Sequence, residues 1–315
     1  MSKEKKQATI LLAIYNGERF ITSQLESILR QTYKPLKVII RDDRSTDKTA
    51  TLVRSFIKEH NLESNWNFQI NAQNKGWRLN FIEMLCMIDI GYVFYADQDD
   101  VWNENKVSVM VQSLNTHHQI NVLVSDYTLF GEPGGEEKIK RIDEIFVEPG
   151  LYQVKQTLDN LGIRRDGCAF AIRSTFIPNI MSVYREVSKD SNGFPQAHDL
   201  ATWLAGVLSN SLYHVHEDLI NHRIHSASTW SMESKKIKKS KNTISQDFIN
   251  FYYAILQCSV LKDENVYHQL LSNKIKDFKI ERELLKSGSS LQKVTSFHKF
   301  SSIKRYLGFV KRNIL

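Results

Sequence analysis

The chain has 315 residues and a net charge of +7, with 42% hydrophobic and 24% charged residues. That is the balance of an ordinary globular protein, with room for one large α/β domain or a domain plus an extension. Three widely spaced cysteines, Cys86, Cys168 and Cys258, form neither a metal-ligand pattern nor a disulfide framework and point to a reducing compartment. No run approaches the ~20 apolar residues of a membrane span, and the charged stretch Met1–Gln7 does not read as a secretory signal.

The chain opens with a buried strand, Ala8–Ile14, and a turn, Tyr15-Asn16-Gly17-Glu18. Glu18–Gln31 then carries Phe20, Ile21, Leu25, Ile28 and Leu29 at helical spacing. Pro35 precedes a second strand, Leu36–Ile40, and a polar loop, Arg41–Asp47, whose Ser45 or Asp47 can cap a helix through His60. A third strand, Trp66–Ile70, and a helix, Trp77–Ile88, lead to a fourth apolar run, Tyr92–Ala96. This β-α-β-α-β-α-β order, with crossovers long enough for parallel strands, predicts an α/β fold built on a mostly parallel central sheet flanked by helices.

The fourth run ends in Asp97-Gln98-Asp99-Asp100, three carboxylates within four residues. Carboxylates crowded at the end of a buried strand repel one another, and a hard divalent cation, Mg²⁺ or Mn²⁺, offsets them while sharing substrate phosphates. The plainer reading is a strand end followed by a helix cap at Asp100 or Asn103. In an open parallel sheet, ligands bind beyond the carboxyl ends of the strands. Tyr15-Asn16, Asp42-Asp43 and Asp97-Gln98-Asp99 are all placed at such ends, so they converge on one rim. For Asp42-Asp43 the alternative is again capping.

A helix is expected over 103–115, then a strand, Val122–Asp126, and a loop, Gly131–Gly135. Arg165–Ile172 reads as a buried strand, Ser174–Val187 as a helix and Ser211–His216 as a short strand. His198-Asp199 opens an apolar helix with Trp203 one turn on. From Ser231 onward there are 17 Lys and Arg against 7 Asp and Glu, so the tail carries +10 and the first 230 residues −3. Lys235–Lys241 is a charge run, and Asp247–Lys286 is helix-rich. Ile303, Tyr306, Leu307, Val310 and Ile314 share a helical face opposite Lys304, Arg305, Lys311 and Arg312. That pattern fits a helix lying on an anionic membrane or one docked on the protein itself.

Residues 8 to about 226 resemble the glycosyltransferase family 2 enzymes of GT-A fold. The resemblance rests on the opening strand and Tyr15-Asn16, on Ser27-Ile28-Leu29 with Gln31-Thr32, on Asp42-Asp43-Arg44-Ser45-Thr46-Asp47-Lys48-Thr49, and on Asn74-Lys75-Gly76. The segment Asp97–Trp102 resembles the acidic motif of bacterial rhamnosyltransferase-like members. The resemblance implies a GT-A domain over 1–230, with a donor half of about 8–127 and an acceptor half of about 128–230, followed by a basic, mostly helical extension over 231–315.

It further implies an inverting, metal-dependent glycosyltransferase of bacterial surface polysaccharide synthesis. The donor is expected to be a dTDP- or UDP-sugar, with dTDP-L-rhamnose favoured, and the acceptor a saccharide or lipid-linked glycan. Tyr15, Asn16, Asp42, Asp43 and Asp97 are expected to hold the nucleotide, and Asp97, Asp99 and His225 the divalent cation. Asp199 is expected to be the general base that inversion in one displacement requires, with an N-terminal helix cap as its structural alternative. His198, Trp203 and Arg165 are expected near the acceptor; core packing is the alternative for Trp203. Arg164–Cys168 is expected to border the acceptor cleft, Gly167 permitting close backbone approach. The expected setting is cytoplasmic, peripheral at the inner face of the plasma membrane, with a homo-oligomer open. A non-catalytic nucleotide-sugar-binding subunit is the competing reading. Nucleic-acid binding rests on the tail's charge alone and is not expected.

Overall fold

The computed structural model describes residues 6–131, 148–189, 196–225, 241–261, 266–287 and 296–313. Most of the Lys235–Lys241 run, the loop beyond Gly131, and Ile314 lie outside them.

Strands β1 (Ala8–Ile14), β2 (Leu36–Asp42), β3 (Trp66–Ile70) and β4 (Tyr92–Asp97) form the expected parallel half, in the spatial order β3-β2-β1-β4. Helices α1 (Ile21–Leu29), α2 (Thr49–Glu59) and α3 (Trp77–Leu85) connect them. The register sets Ile14 opposite Asp42 and Ala13 opposite Asp97, so the three polar loops do leave one rim.

The second half is less regular. After β5 (Val101–Trp102) and α4 (Lys106–Thr116) come β6 (Val122–Gly131), β7 (Leu151–Gln153), β8 (Phe170–Arg173) and β9 (Leu212–Ile224). The full path is β3-β2-β1-β4-β8-β6-β9-β5, with β7 also on β9. Four of the eight described pairings are parallel and four antiparallel, so the sheet is mixed rather than mostly parallel.

Two expectations change here. The segment expected as a strand over Arg165–Ile172 is a short 3-10 turn, Gly167–Ala169, followed by β8. The short strand expected at Ser211–His216 runs on through the His222-Arg223 stretch as β9.

Residue alternation divides the core between the faces of the sheet. Ile10, Leu12, Phe94 and Ala96 pack with α1, α2 and α4. Leu11, Val93 and Tyr95 pack on the other face with α3, α5 (Ile177–Glu186) and α6 (His198–Leu208). Helices α7 (Lys241–Leu256) and α8 (Tyr267–Ser287) join that second core through Tyr252, Ile255, Tyr267 and Leu271. The extension is therefore continuous with the sheet domain in packing. The last helix, α9 (Ile303–Asn313), sets Phe309 and Val310 against Leu284 and Phe300. Among the described residues no helix is long and apolar enough to cross a membrane.

Candidate functional site

The rim is built from loops that hold one another. Gln98 clasps the Tyr15 backbone on both sides, accepting from its N–H at 2.8 Å and donating to its carbonyl at 3.0 Å. A Cβ on Gly17 would lie 2.4 Å from Gln98 Oε1, so a side chain there would displace the Gln98 amide that makes the clasp. The Asn16 N–H donates to Ser45 Oγ at 2.9 Å, and Asn16 Oδ1 accepts from the Thr46 N–H at 2.8 Å. Asp47 accepts from the N–H groups of Glu18 and Thr49. The ring of Tyr15 stays 45% exposed above this floor.

The motif residues Ser27 and Gln31 brace the same rim from α1. Ser27 Oγ accepts from the Trp102 N–H at 3.1 Å; Gln31 donates to the Asn103 carbonyl at 2.8 Å and accepts from the Val107 N–H at 3.0 Å.

Asp42 and Asp43 are both buried, with different partners. Asp42 Oδ1 accepts from the Ser45 N–H and hydroxyl, while its Oδ2 has no hydrogen-bond partner. Asp43 Oδ1 accepts from Asn71 Nδ2 and the Lys75 N–H, each at 2.8 Å, and Oδ2 from the Gly76 N–H at 2.7 Å. Both Asp43 oxygens thus hold the Asn74-Lys75-Gly76 loop, which corrects the expectation that Asp43 meets the nucleotide.

Asp97 closes β4, half-buried, and its carboxyl is held well above the usual carboxylate range by burial and by repulsion from Asp100 and Asp99. Asp99 Oδ2 lies 2.8 Å from His225 Nε2, so residues 126 positions apart meet. The Phe20 ring packs beside His225, with centroids 4.8 Å apart. Two carboxylates and an imidazole are a donor set that suits Mn²⁺ or Mg²⁺, and the unrelieved repulsion at Asp97 is the charge such an ion would offset. Asp97 and Asp99 with His225 are not among the tightest ligand trios of the described residues.

Those trios are Asp100–Cys168–His222 and Asp126–His214–His216. In the first, His222 Nδ1 is 2.8 Å from Asp100 Oδ1. Burial disfavours the imidazolium, but Asp100 outweighs it and pushes the His222 pKa up to about 10, so this is an ion pair. Beneath it Lys106 is fully buried, 3.3 Å from the Trp102 ring centroid, donating to the Cys168 carbonyl at 2.7 Å. Burial lowers its pKa to about 7, against the pull of Asp100 and Asp97. In the second trio Arg165 already supplies the positive charge, its Nη2 lying 2.6 Å from Asp126 Oδ1.

Arg165 is 4% exposed in that knot, which corrects its expected place at the acceptor. His198 is corrected likewise. Its ring is 2% exposed, stacked on Phe81 at 4.0 Å and edge-on to Tyr95. Burial lowers its pKa to about 3, so it is neutral. Trp203 is fully buried and donates to the Asn160 carbonyl at 2.7 Å, a core residue rather than a stacking platform.

Asp199 lies in the first turn of α6, half-buried, while Ala197 occupies the cap position. Burial pushes its carboxyl up to about 6; the Leu200 amide opposes this and Asp166 adds to it. Gly167 explains that proximity: a Cβ there would lie 3.1 Å from His198 Nε2 and 3.6 Å from Asp199 Cβ, so the 166–167 backbone abuts the start of α6. Asp166 is exposed, and its Oδ2 accepts from the Tyr127 hydroxyl at 2.5 Å. Gln98, Lys106, Tyr127 and His222 received no role from sequence; each works through a long-range contact that no local pattern announces.

The model of glycosyl transferase family 2 matches residues 9–177, more than half of the chain. An uncharacterized glycosyltransferase of Rickettsia typhi is 26% identical over 227 residues, 70% of this chain and 65% of that one, so the chain spans less than two thirds of that relative. The Escherichia coli UDP-Glc:alpha-D-GlcNAc-diphosphoundecaprenol beta-1,3-glucosyltransferase WfgD is 24% identical over 245 residues, 76% of this chain and 86% of its own. In fold, the chain is similar to S. aureus TarS 1-349 in complex with UDP-GlcNAc, with a TM-score of 0.61 at 14% identity, covering 97% of this chain and 80% of that one. The mixed sheet flanked by helices is the GT-A fold, and with the family model spanning both the Tyr15–Asp43 loops and the acidic turn, the chain belongs to glycosyl transferase family 2.

Proposed function

We propose that this protein is an inverting glycosyltransferase that moves a sugar from a pyrimidine nucleoside diphosphate to a lipid-linked glycan acceptor in polysaccharide synthesis. The observation that carries this reading is the pairing of Asp99 with His225 at the rim that the exposed Tyr15 and the β2 end at Asp42 also border. Tyr15 offers a ring to the base. The unpartnered Asp42 Oδ2 offers an acceptor, which suits the N3–H that uracil and thymine share. The resemblance of Asp97–Trp102 to rhamnosyltransferase-like members favours dTDP-L-rhamnose; the Escherichia coli relative, named for UDP-Glc, supports a UDP-sugar instead.

Asp97, Asp99 and His225 hold a divalent cation, Mn²⁺ or Mg²⁺, which when bound supplies positive charge against the departing diphosphate. Asp199 takes the proton of the acceptor hydroxyl, with Asp166 bordering the same cleft. The acceptor's lipid places the protein at a membrane surface. The exposed Ile303 and Leu307 flanked by Lys304 and Lys311 support that placement.

The test is the pH profile of sugar transfer. A base must be ionised, so turnover should rise with pH through about 6 and level off above it. Asp199→Asn should retain nucleotide-sugar binding and lose transfer by at least about a hundredfold, the typical contribution of a general base. Full activity in Asp199→Asn would remove the base from this residue.

A further inference from the structure

We propose that the buried Asp100–His222 pair is a positioning device for His225, fixing the register in which β9 meets the acidic turn. The inference rests on the reading of Asp99 and His225 as cation ligands. The ladder along β9 holds that register over only four residues, Asn221–Ile224 against Thr128–Gly131, after an irregular stretch. Its pairing with β6 slips twice, between Ser125 and Asp126 and between Asp126 and Thr128. Its partner on the other side there is β5, two residues long. A strand whose ladder is interrupted this way needs side-chain pins, because a one-residue slip turns every side chain to the opposite face.

The pins are present and concentrated. Asp100 is fully buried, and its Oδ1 receives two donors from consecutive residues of β9, His222 Nδ1 at 2.8 Å and the Arg223 N–H at 3.1 Å. Arg223 answers in the opposite direction, its Nε donating to the Asp99 carbonyl at 2.8 Å. Its guanidinium lies between the rings of Phe20 at 4.7 Å and Phe130 at 4.3 Å. Asn103 Nδ2 adds a bond to the Asp218 carbonyl at 2.7 Å. Three residues after His222, His225 meets Asp99 Oδ2 at 2.8 Å. The acidic turn thus carries two jobs on adjacent residues. Asp99 faces the ligand position, and Asp100 faces inward and holds the strand that brings the imidazole.

Groups that orient a metal ligand commonly change affinity by about ten- to a hundredfold when removed. The experiment is the Mn²⁺ dissociation constant in the presence of UDP or dTDP, read from the free-ion electron paramagnetic resonance signal. Wild type, His225→Ala, His222→Ala, His222→Asn and Asp100→Asn are compared, with circular dichroism confirming a folded protein. His222→Ala should weaken Mn²⁺ binding by about tenfold or more. His222→Asn, which returns a donor near the Nδ1 position, should recover most of it. Asp100→Asn preserves shape and removes the charge, so it should fall between, and it serves if His222→Ala does not fold. Mn²⁺ affinity equal to wild type in folded His222→Ala, or in Asp100→Asn where the former is unfolded, while His225→Ala is weak, would overturn the positioning role. Wild-type affinity in His225→Ala, or no Mn²⁺ binding by wild type, would overturn the ligand reading beneath it.

Discussion

Asp42 and Asp43 are neighbours in the chain with opposite tasks. Asp43 accepts three hydrogen bonds from residues 71–76 and keeps the Asn74-Lys75-Gly76 loop folded onto β2. Asp42 spends one oxygen on Ser45 and keeps the other without a partner. Hydrogen bonds to charged groups contribute about 1.5–3 kcal/mol each and are not additive. Asp43→Ala should therefore lower stability by about 2–4 kcal/mol in urea unfolding. Asp42→Asn leaves the Ser45 bonds available and turns the lone acceptor into a donor. It should weaken nucleotide binding by about tenfold, the cost of one mispaired polar group, with little change in unfolding midpoint. The reverse outcome, with Asp43→Ala stable and blind to nucleotide, would exchange their roles. The motif D-D-x-S-x-D-x-T was legible as a loop at a strand end, but residue type does not report which way a carboxylate turns. His198, Arg165 and Trp203 fail in sequence for the same reason: polar or aromatic character near a motif is as compatible with a satisfied interior as with a cleft.

At the scale of elements, the parallel half was legible because apolar runs, helical spacing and turn residues agree there. β9 was legible only as a short strand at Ser211–His216, since His214, His216, Asn221, His222 and Arg223 interrupt its apolar pattern. Those polar residues are tolerated because partners meet them. Asp126 contacts His214 and His216, and Asp100 contacts His222. The 3-10 turn at Gly167–Ala169 escaped detection because its apolar run also suits a strand. The last helix divides its predicted apolar face. Its Tyr306 and Val310 pack beside Phe309, which lies outside that face and is fully buried on the α8 side, whereas Ile303 and Leu307 are 70% and 56% exposed. The proposed membrane contact would therefore use residues of this helix other than those that dock it on the protein. Phe309→Ala should lower stability by about 3 kcal/mol, in the range for a buried aromatic. Leu307→Glu should leave stability within about 0.5 kcal/mol and reduce sedimentation with anionic vesicles. Unchanged vesicle binding in Leu307→Glu would remove α9 from the membrane contact.

For the molecule as a whole, charge and packing tell different stories. The net surplus sits after residue 231, which in sequence marks an extension. In space, α7 and α8 complete the core over α5 and α6. The extension is distinct in composition and continuous in packing, so truncation before α7 would expose the apolar face it covers. The rim itself is assembled from residues 15, 42, 97–99 and 225, each at the end of a different strand. Short motifs gave their identity, and only the sheet order brings them together.

By the proposed function, this rim binds a pyrimidine sugar nucleotide together with a divalent cation through Asp99 and His225. The most direct measurement is a thermal-shift panel of UDP- and dTDP-sugars with and without Mn²⁺, run on wild type and Asp99→Ala. Native-state binding at a hundred times Kd adds about 2.7 kcal/mol of apparent stability. The account predicts a shift with one of these donors that grows with Mn²⁺ in wild type and loses its Mn²⁺ dependence in Asp99→Ala. An Mn²⁺-enhanced shift that persists unchanged in Asp99→Ala, or no shift with any donor, would contradict it.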